Sequence, residues 1–257
     1  MVNSTNQAPR PSMFWLLTEP GRALAELGMS YSYNSLYKNE KKGDGHTVMI
    51  IPGFMSTKTS TGVLREFIGN LGYNVVDWGL GRNLGKVEYT ELLLETLDEL
   101  YIKEGQPISL IGWSLGGVIA RQIAKERPEL VRQVITLGSP FGGITEPNNA
   151  TWMYSIITNG KTPRDIDQDL LANFPLPAAV PTTAIYSKED GIVPWKACME
   201  IEDEIHQNIQ VRGSHIGLGV NHSVLSIIAD RLQYTKKDWR YFKPKGKVNG
   251  LLFYPSL

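Results

Sequence analysis

The stretch Gly112-Trp113-Ser114-Leu115-Gly116-Gly117 constrains this chain more than any other. The run Ile108-Ser109-Leu110-Ile111 leads into it, and Val118-Ile119-Ala120-Arg121-Gln122-Ile123-Ala124 leads out. The first reads as a buried strand and the second as a helix. Between them, Gly-x-Ser-x-Gly is the turn that lifts a nucleophilic serine off the end of a strand. The serine backbone is strained in such a turn, and side chains at Gly112 or Gly116 would crowd the strand-to-helix corner. Gly117 adds room for close approach of helix and sheet. The pattern alone is weak, because a glycine-rich turn with a surface serine looks the same. Its partners decide.

The same alternation of runs continues along the 257 residues. Thr47–Ile51 reads as a buried strand ending in Pro52-Gly53, followed by a helix near 60–71 and a strand at Tyr73–Asp77. An amphipathic helix spans 88–103 and precedes the serine turn. Further strands follow at Leu130–Leu137, Thr182–Ser187 and Asn208–Arg212, and a last helix at 222–234. Six strands with helices between them predict a single α/β domain over 1–257, with a doubly wound, mostly parallel sheet and helices on both faces. Residues 1–12 read as a polar tail. Residues 13–40 carry Ala23, Leu24, Leu27 and Tyr31 at helical spacing, and are expected to pack on the core outside the sheet. The 144–180 interval is too long for a simple connection and is read as a small helical cap, or lid, over the strand ends.

Composition narrows the function classes. The 26 basic and 26 acidic residues balance, which speaks against a nucleic-acid partner. The single Cys198 excludes an internal disulfide and any cysteine-cluster metal site. No apolar run approaches the ~20 residues of a transmembrane helix. Met13–Leu17 is too short for a signal segment and is broken by Glu19 and Pro20. A cytoplasmic protein is expected, so the sequons at Asn3, Asn149 and Asn221 carry little meaning. The basic run from Lys236 to Lys247 reads as a solvated face. The apolar Leu251–Tyr254 leaves docking on the body, or on a second subunit of a homo-oligomer, open.

A serine hydroxyl needs a base within hydrogen-bond reach, and the base needs an orienting acid. In a doubly wound sheet these should follow strands, at their carboxyl ends. The strand Thr182–Ser187 runs into Lys188-Glu189-Asp190-Gly191-Ile192-Val193-Pro194, which nominates Asp190 as the acid, with Glu189 as the fallback. The last strand runs into Arg212-Gly213-Ser214-His215. Of four histidines, His46 and His206 precede strands and sit at the wrong end. His222 reads as the start of the last helix, capped by Asn221. His215 is therefore nominated as the base, with His222 as the alternative. The N–H of Leu115 and one from Pro52-Gly53-Phe54-Met55 are the expected oxyanion donors, Phe54 before Met55. Met55, Trp113, Phe141 and Trp152 are candidates for an apolar acyl site. No metal or organic cofactor is implied.

Pro52-Gly53-Phe54, the serine turn, Gly138-Ser139-Pro140, Asp190-Gly191-Ile192-Val193-Pro194 and Ser214-His215 together resemble the α/β-hydrolase superfamily, above all its small bacterial lipase- and esterase-like members. The resemblance covers residues 46–234. It implies catalytic roles for Ser114, Asp190 and His215, and oxyanion donors at Phe54 and Leu115. Trp78-Gly79-Leu80-Gly81-Arg82-Asn83 is also similar to a feature of these members, although the residues themselves give only a glycine-rich turn. No clear pair of strands precedes Thr47, which implies the shortened core of the smallest lipases. The expected activity is hydrolysis of small or lipid-like carboxyl esters through an acyl-enzyme. Acyl transfer or amide cleavage by the same triad, and a non-catalytic binding protein of this fold, are the alternatives.

Overall fold

The computed structural model describes residues 11–33, 43–86, 88–142, 172–244 and 253–257. Among the described residues, segments rich in β-branched residues form six strands: β1 (Thr47–Ile51), β2 (Asn74–Asp77), β3 (Ile108–Trp113), β4 (Val131–Leu137), β5 (Thr182–Ser187) and the more polar β6 (His206–Val211). They make one sheet in the order β2-β1-β3-β4-β5-β6, and every pair is parallel. The sheet is thus wholly rather than mostly parallel.

The two-residue period of a strand sorts the core into two layers. Val48, Ile50, Ile111, Ile135, Ile185 and Ile209 pack with α2 (Gly62–Asn70) and the last helix, α5 (His222–Arg231). Met49, Ile51, Leu110, Val134, Ala184 and Tyr186 face the opposite way. They pack with α3 (Tyr89–Glu104) and α4 (Leu115–Glu126). Helices therefore cover both faces, as the doubly wound reading requires.

Strand order reverses between β1 and β3, since β2 lies beyond β1 and β4 beyond β3. The loops leaving β1 and β3 diverge there and open a crevice at the carboxyl ends. The serine turn leaves β3 into that crevice, beside the loop that leaves β1.

Several sequence expectations need adjustment. β4 starts at Val131 because a 3-10 turn, Pro128–Leu130, precedes it. His206 opens β6 rather than preceding it. Its Nδ1 lies 2.7 Å from Asp203 Oδ1, and its Nε2 lies 2.9 Å from the Ala178 carbonyl oxygen. Of the apolar run Leu251–Tyr254, Leu251 and Leu252 lie outside the described residues and Phe253 is exposed, whereas Tyr254 is buried with Phe242 in the α2/α5 layer and the Ser256 hydroxyl accepts from Gln210 N at 2.9 Å. Residues 143–171, most of the expected 144–180 cap and Trp152 with it, lie outside the described residues. Of the described remainder, Phe174, Ala178 and Val180 are buried in the α3/α4 layer. Among the described residues no helix is long and apolar enough to cross a membrane.

The segment 13–40 yields α1 (Met13–Tyr33), outside the sheet as expected, with Ala23 and Leu27 half-buried; residues 34–40 and the Tyr31 side chain lie outside the described residues. Leu24 points outward at 70% exposed, as do Phe14 and Leu17. The inward stripe carries Glu19, Glu26 and Ser30 instead. Its docking partners are described next.

Candidate active site

Ser114 sits between β3 and α4 with φ 52° and ψ −121°, a left-handed conformation that a side chain rarely adopts. Its N–H donates to the Leu137 carbonyl at 2.8 Å, and its carbonyl accepts from Gly117 N at 3.0 Å. The glycines make this geometry possible through close backbone approach. A Cβ on Gly112 would collide with the Gly117 backbone, one on Gly116 with the Ile51 carbonyl, and one on Gly117 with the Ser139 hydroxyl. Strain of this kind costs about 1–3 kcal/mol and is held in place only by its surroundings.

Asp190 and His215 come together as expected. His215 Nδ1 lies 2.6 Å from Asp190 Oδ2, and both residues are buried. The other carboxylate oxygen accepts from the main-chain N–H groups of Ile192 and Val193 at 2.8 and 2.7 Å, which fixes its direction. A carboxylate only accepts, so Nδ1 carries the proton and Nε2 is left as the basic nitrogen. Burial disfavours the imidazolium. The Asp190 carboxylate outweighs it, with Glu19 adding to the effect, so the His215 pKa is raised above the ordinary histidine value.

The serine turn is tied to the histidine loop through its neighbours. Trp113 Nε1 donates to the His215 carbonyl at 3.1 Å. A Cβ on Gly138, whose φ is +56°, would stand 3.0 Å from His215 Nδ1. Among the described residues no hydrogen bond joins the Ser114 hydroxyl directly to the imidazole. Such bonds are commonly long in substrate-free sites and tighten when substrate binds. The fallback acid Glu189 turns away to pair with Arg212 at 3.2 Å. His222 opens α5, whose N-cap Asn221 accepts from Ser223 N and Val224 N, and its ring meets Phe253 edge-on.

The loop after β1 passes against the serine. A Cβ on Gly53 would lie 3.3 Å from both Ser114 Cβ and the Trp113 carbonyl oxygen. Met55 is the second non-glycine residue with positive φ, at 59°, and its N–H donates to Asn83 O at 2.7 Å. That N–H is therefore engaged. Leu115 opens α4, so its N–H has no partner within the helix.

Asn83 is a residue whose part sequence reasoning missed. It is fully buried, its Nδ2 donates to the Pro52 carbonyl at 2.7 Å, and its Oδ1 accepts from Gly85 N at 3.0 Å. Its main chain also pairs both ways with the β1 loop, accepting from Met55 N and donating to Ser56 O. The glycine-rich turn at 78–83 thus shapes the loop beside the nucleophile. The signal was the turn itself; the amide's role lies in contacts to main-chain atoms.

The other missed groups are on α1. Glu19 Oε1 accepts from Gly191 N and His215 N, both at 2.9 Å, and Oε2 accepts from Ile216 N at 3.0 Å. Glu26 Oε1 accepts from Ser214 N at 2.8 Å. The helix approaches so closely that a Cβ on Gly191 would strike the Trp15–Leu16 backbone, and one on Gly217 the Glu26 carboxylate.

The candidate acyl-site residues separate. Met55 is half exposed at the site's edge. Trp113 packs in the α2/α5 layer with its indole on His215, and Phe141 is fully buried under the Arg121 guanidinium, 3.6 Å from the ring centroid. Cys198 is buried, and burial pushes its thiol pKa well up, away from nucleophilic chemistry. Among the described residues no three His, Cys, Asp or Glu side chains are grouped as metal ligands would be.

Comparison with known proteins agrees with this geometry. No family model matches the chain. It is 24% identical over 242 residues to the mouse (Mus musculus) palmitoyl-protein thioesterase ABHD10, mitochondrial, covering 79% of this chain and 78% of that protein. The match to the human (Homo sapiens) protein of the same name covers 67% of this chain and 65% of that one, at 26% identity. Over 100 residues it is 28% identical to the pimeloyl-[acyl-carrier protein] methyl ester esterase of Klebsiella pneumoniae (strain 342), 38% of either chain. Among solved structures, lipase B of Aspergillus fumigatus superposes with a TM-score of 0.61 at 19% identity, covering 77% of this chain and 54% of that one. The parallel sheet, the strained serine at its switch point and these relatives place the chain in the α/β-hydrolase superfamily.

Proposed function

We propose that this protein hydrolyses carboxyl esters and thioesters with an apolar acyl group, through an acyl-enzyme formed on Ser114. The reading rests above all on one observation: the strained Ser114 follows Trp113, whose indole donates to the carbonyl of His215, and His215 is paired with the buried Asp190 at 2.6 Å. His215 Nε2 takes the Ser114 proton as Oγ attacks the carbonyl carbon. Asp190 keeps the proton on Nδ1 and stabilises the imidazolium that forms. The N–H groups of Leu115 and Phe54 receive the oxyanion, a contribution worth about 10²–10³ in turnover per donor in comparable sites. His215 then gives its proton to the leaving alcohol or thiol and activates water for deacylation. Phe54 and Met55 supply the near wall of the acyl site. The name of the mouse relative, a thioesterase, is the reason to include thioesters, and that of the bacterial relative, a methyl ester esterase, supports oxygen esters.

A fluorophosphonate probe tests the reading. The intact protein is expected to be labelled, and Ser114→Ala and His215→Ala to lose labelling. p-Nitrophenyl esters and matched acyl thioesters of rising chain length then give the preference. An intact protein that takes no label, or a His215→Ala variant that labels at the full rate, would overturn it.

A further inference from the structure

α1 is amphipathic in the reverse sense. Its apolar Phe14, Leu17 and Leu24 face outward, while Glu19 is buried at 1% exposure. Burying a carboxylate is costly unless donors surround it. Glu19 has four: the main-chain N–H groups of Gly191, His215 and Ile216, and Arg22 Nη2 at 3.0 Å. Those amides belong to two different loops. Gly191 follows Asp190 directly, and His215 is the base itself. One carboxylate oxygen, Oε1, receives both. Glu26, seven residues on, receives Ser214 N, so three consecutive amides of the histidine loop end on two α1 carboxylates.

We propose that Glu19 is a positioning residue for the triad. Its carboxylate clamps the Asp190 turn to the His215 loop and holds the acid and base in hydrogen-bond register. This rests on the triad reading above. The glycines at 191 and 217 fit the clamp, since a side chain at 191 would strike the α1 backbone and one at 217 would displace the Glu26 carboxylate. The clamp also places negative charge behind the imidazole. The charged groups around His215 are Asp190 from its own turn, Glu19, Glu26 and Arg22 from α1, and the Glu189–Arg212 pair at the surface.

Two substitutions separate geometry from charge. Glu19→Gln keeps the side-chain shape and one acceptor but removes the charge. Glu19→Ala removes both. A misplacement of catalytic groups by an ångström costs about a hundredfold in rate. Glu19→Ala is therefore expected to lose between about ten- and a hundredfold in kcat, with KM for a short p-nitrophenyl ester within about twofold. Glu19→Gln is expected to lose less kcat and to move the acid limb of kcat/KM to lower pH. The downfield imidazole N–H resonance of the His215–Asp190 bond should weaken in both. Leu17→Gln, on the outward face of the same helix, should leave every readout unchanged.

If Glu19→Ala does not fold, the acid limb and the proton resonance of Glu19→Gln decide. A folded Glu19→Gln with wild-type kcat, acid limb and resonance would overturn the proposal. An unmodified protein that takes no fluorophosphonate label would overturn the triad reading, and the proposal with it. Labelling of the unmodified protein with indifferent Glu19 variants would overturn the proposal alone.

Discussion

β3 carries two serines that meet histidine–aspartate chemistry, and only one is a candidate nucleophile. At its carboxyl end stands Ser114. Near its amino end, Ser109 Oγ lies 2.8 Å from His46 Nε2, and His46 Nδ1 lies 2.5 Å from Asp44 Oδ1. The residue types match a triad, but Ser109 and His46 are fully buried within the sheet. No substrate reaches them. Triad composition is thus insufficient; the left-handed backbone and the open end of the strand distinguish Ser114. Ser109→Ala should leave fluorophosphonate labelling intact and lower stability by about 1–3 kcal/mol in urea unfolding, because His46 loses a buried partner. The two histidines also respond to pH with opposite sign. Burial depresses the His46 pKa, so its unfolded form binds the extra proton and stability falls as pH drops below the unfolded value. The His215 pKa is raised, so its contribution is full below the unfolded value and is lost as pH rises through the folded one. In the proposed mechanism His215 must be neutral to act as base. The acid limb of kcat/KM is therefore expected above the ordinary histidine value of about 6.5, read with a p-nitrophenyl ester across pH.

The helix α4 depends on the missing side chain at Gly116. An alanine Cβ there would collide with the Ile51 carbonyl, so either β1 or the turn must shift. Gly116→Ala is expected to cost about 1–3 kcal/mol or more, read by thermal unfolding, and to abolish labelling through the displaced serine. The sequence shows β1 and β3 best, because both of their faces are buried and their residues are almost all apolar. It points to Ser114, Asp190 and His215 because each lies past the carboxyl end of a strand. The same logic misreads α1. Its docking surface includes a row of main-chain amides, so the stripe that packs carries Glu19 and Glu26 beside the half-buried Ala23 and Leu27. An apolar count along residues 13–33 finds the helix but passes over its carboxylates. Asn83 is hidden for the same reason: what it holds is backbone, which no side-chain pattern announces. Leu24→Gln, on the outward face of α1, should change stability by no more than about 0.5 kcal/mol, measured by urea unfolding.

Polar groups also join distant parts of the molecule. Arg121 of α4 reaches Glu200, beyond β5, at 2.5 and 2.9 Å, and donates to the Phe174 and Leu176 carbonyls. Both charges are buried. Breaking one side, as in Glu200→Ala, should cost about 3–5 kcal/mol in urea unfolding, whereas a paired apolar replacement of both residues should cost far less. The longest-range of these ties are those of α1. Its bonds to Gly191, Ser214, His215 and Ile216 span 172, 188, 196 and 197 residues. Synthesis runs from the N-terminus, so α1 emerges long before the loops that seat it and is among the last of the described helices to dock. Until the loop beyond β6 emerges, Glu19 and Glu26 stay hydrated and the sheet forms without them. Competence to react with an acylating probe is then the closing event of folding, separate in time from the appearance of secondary structure. In refolding, far-ultraviolet circular dichroism should recover before fluorophosphonate labelling does.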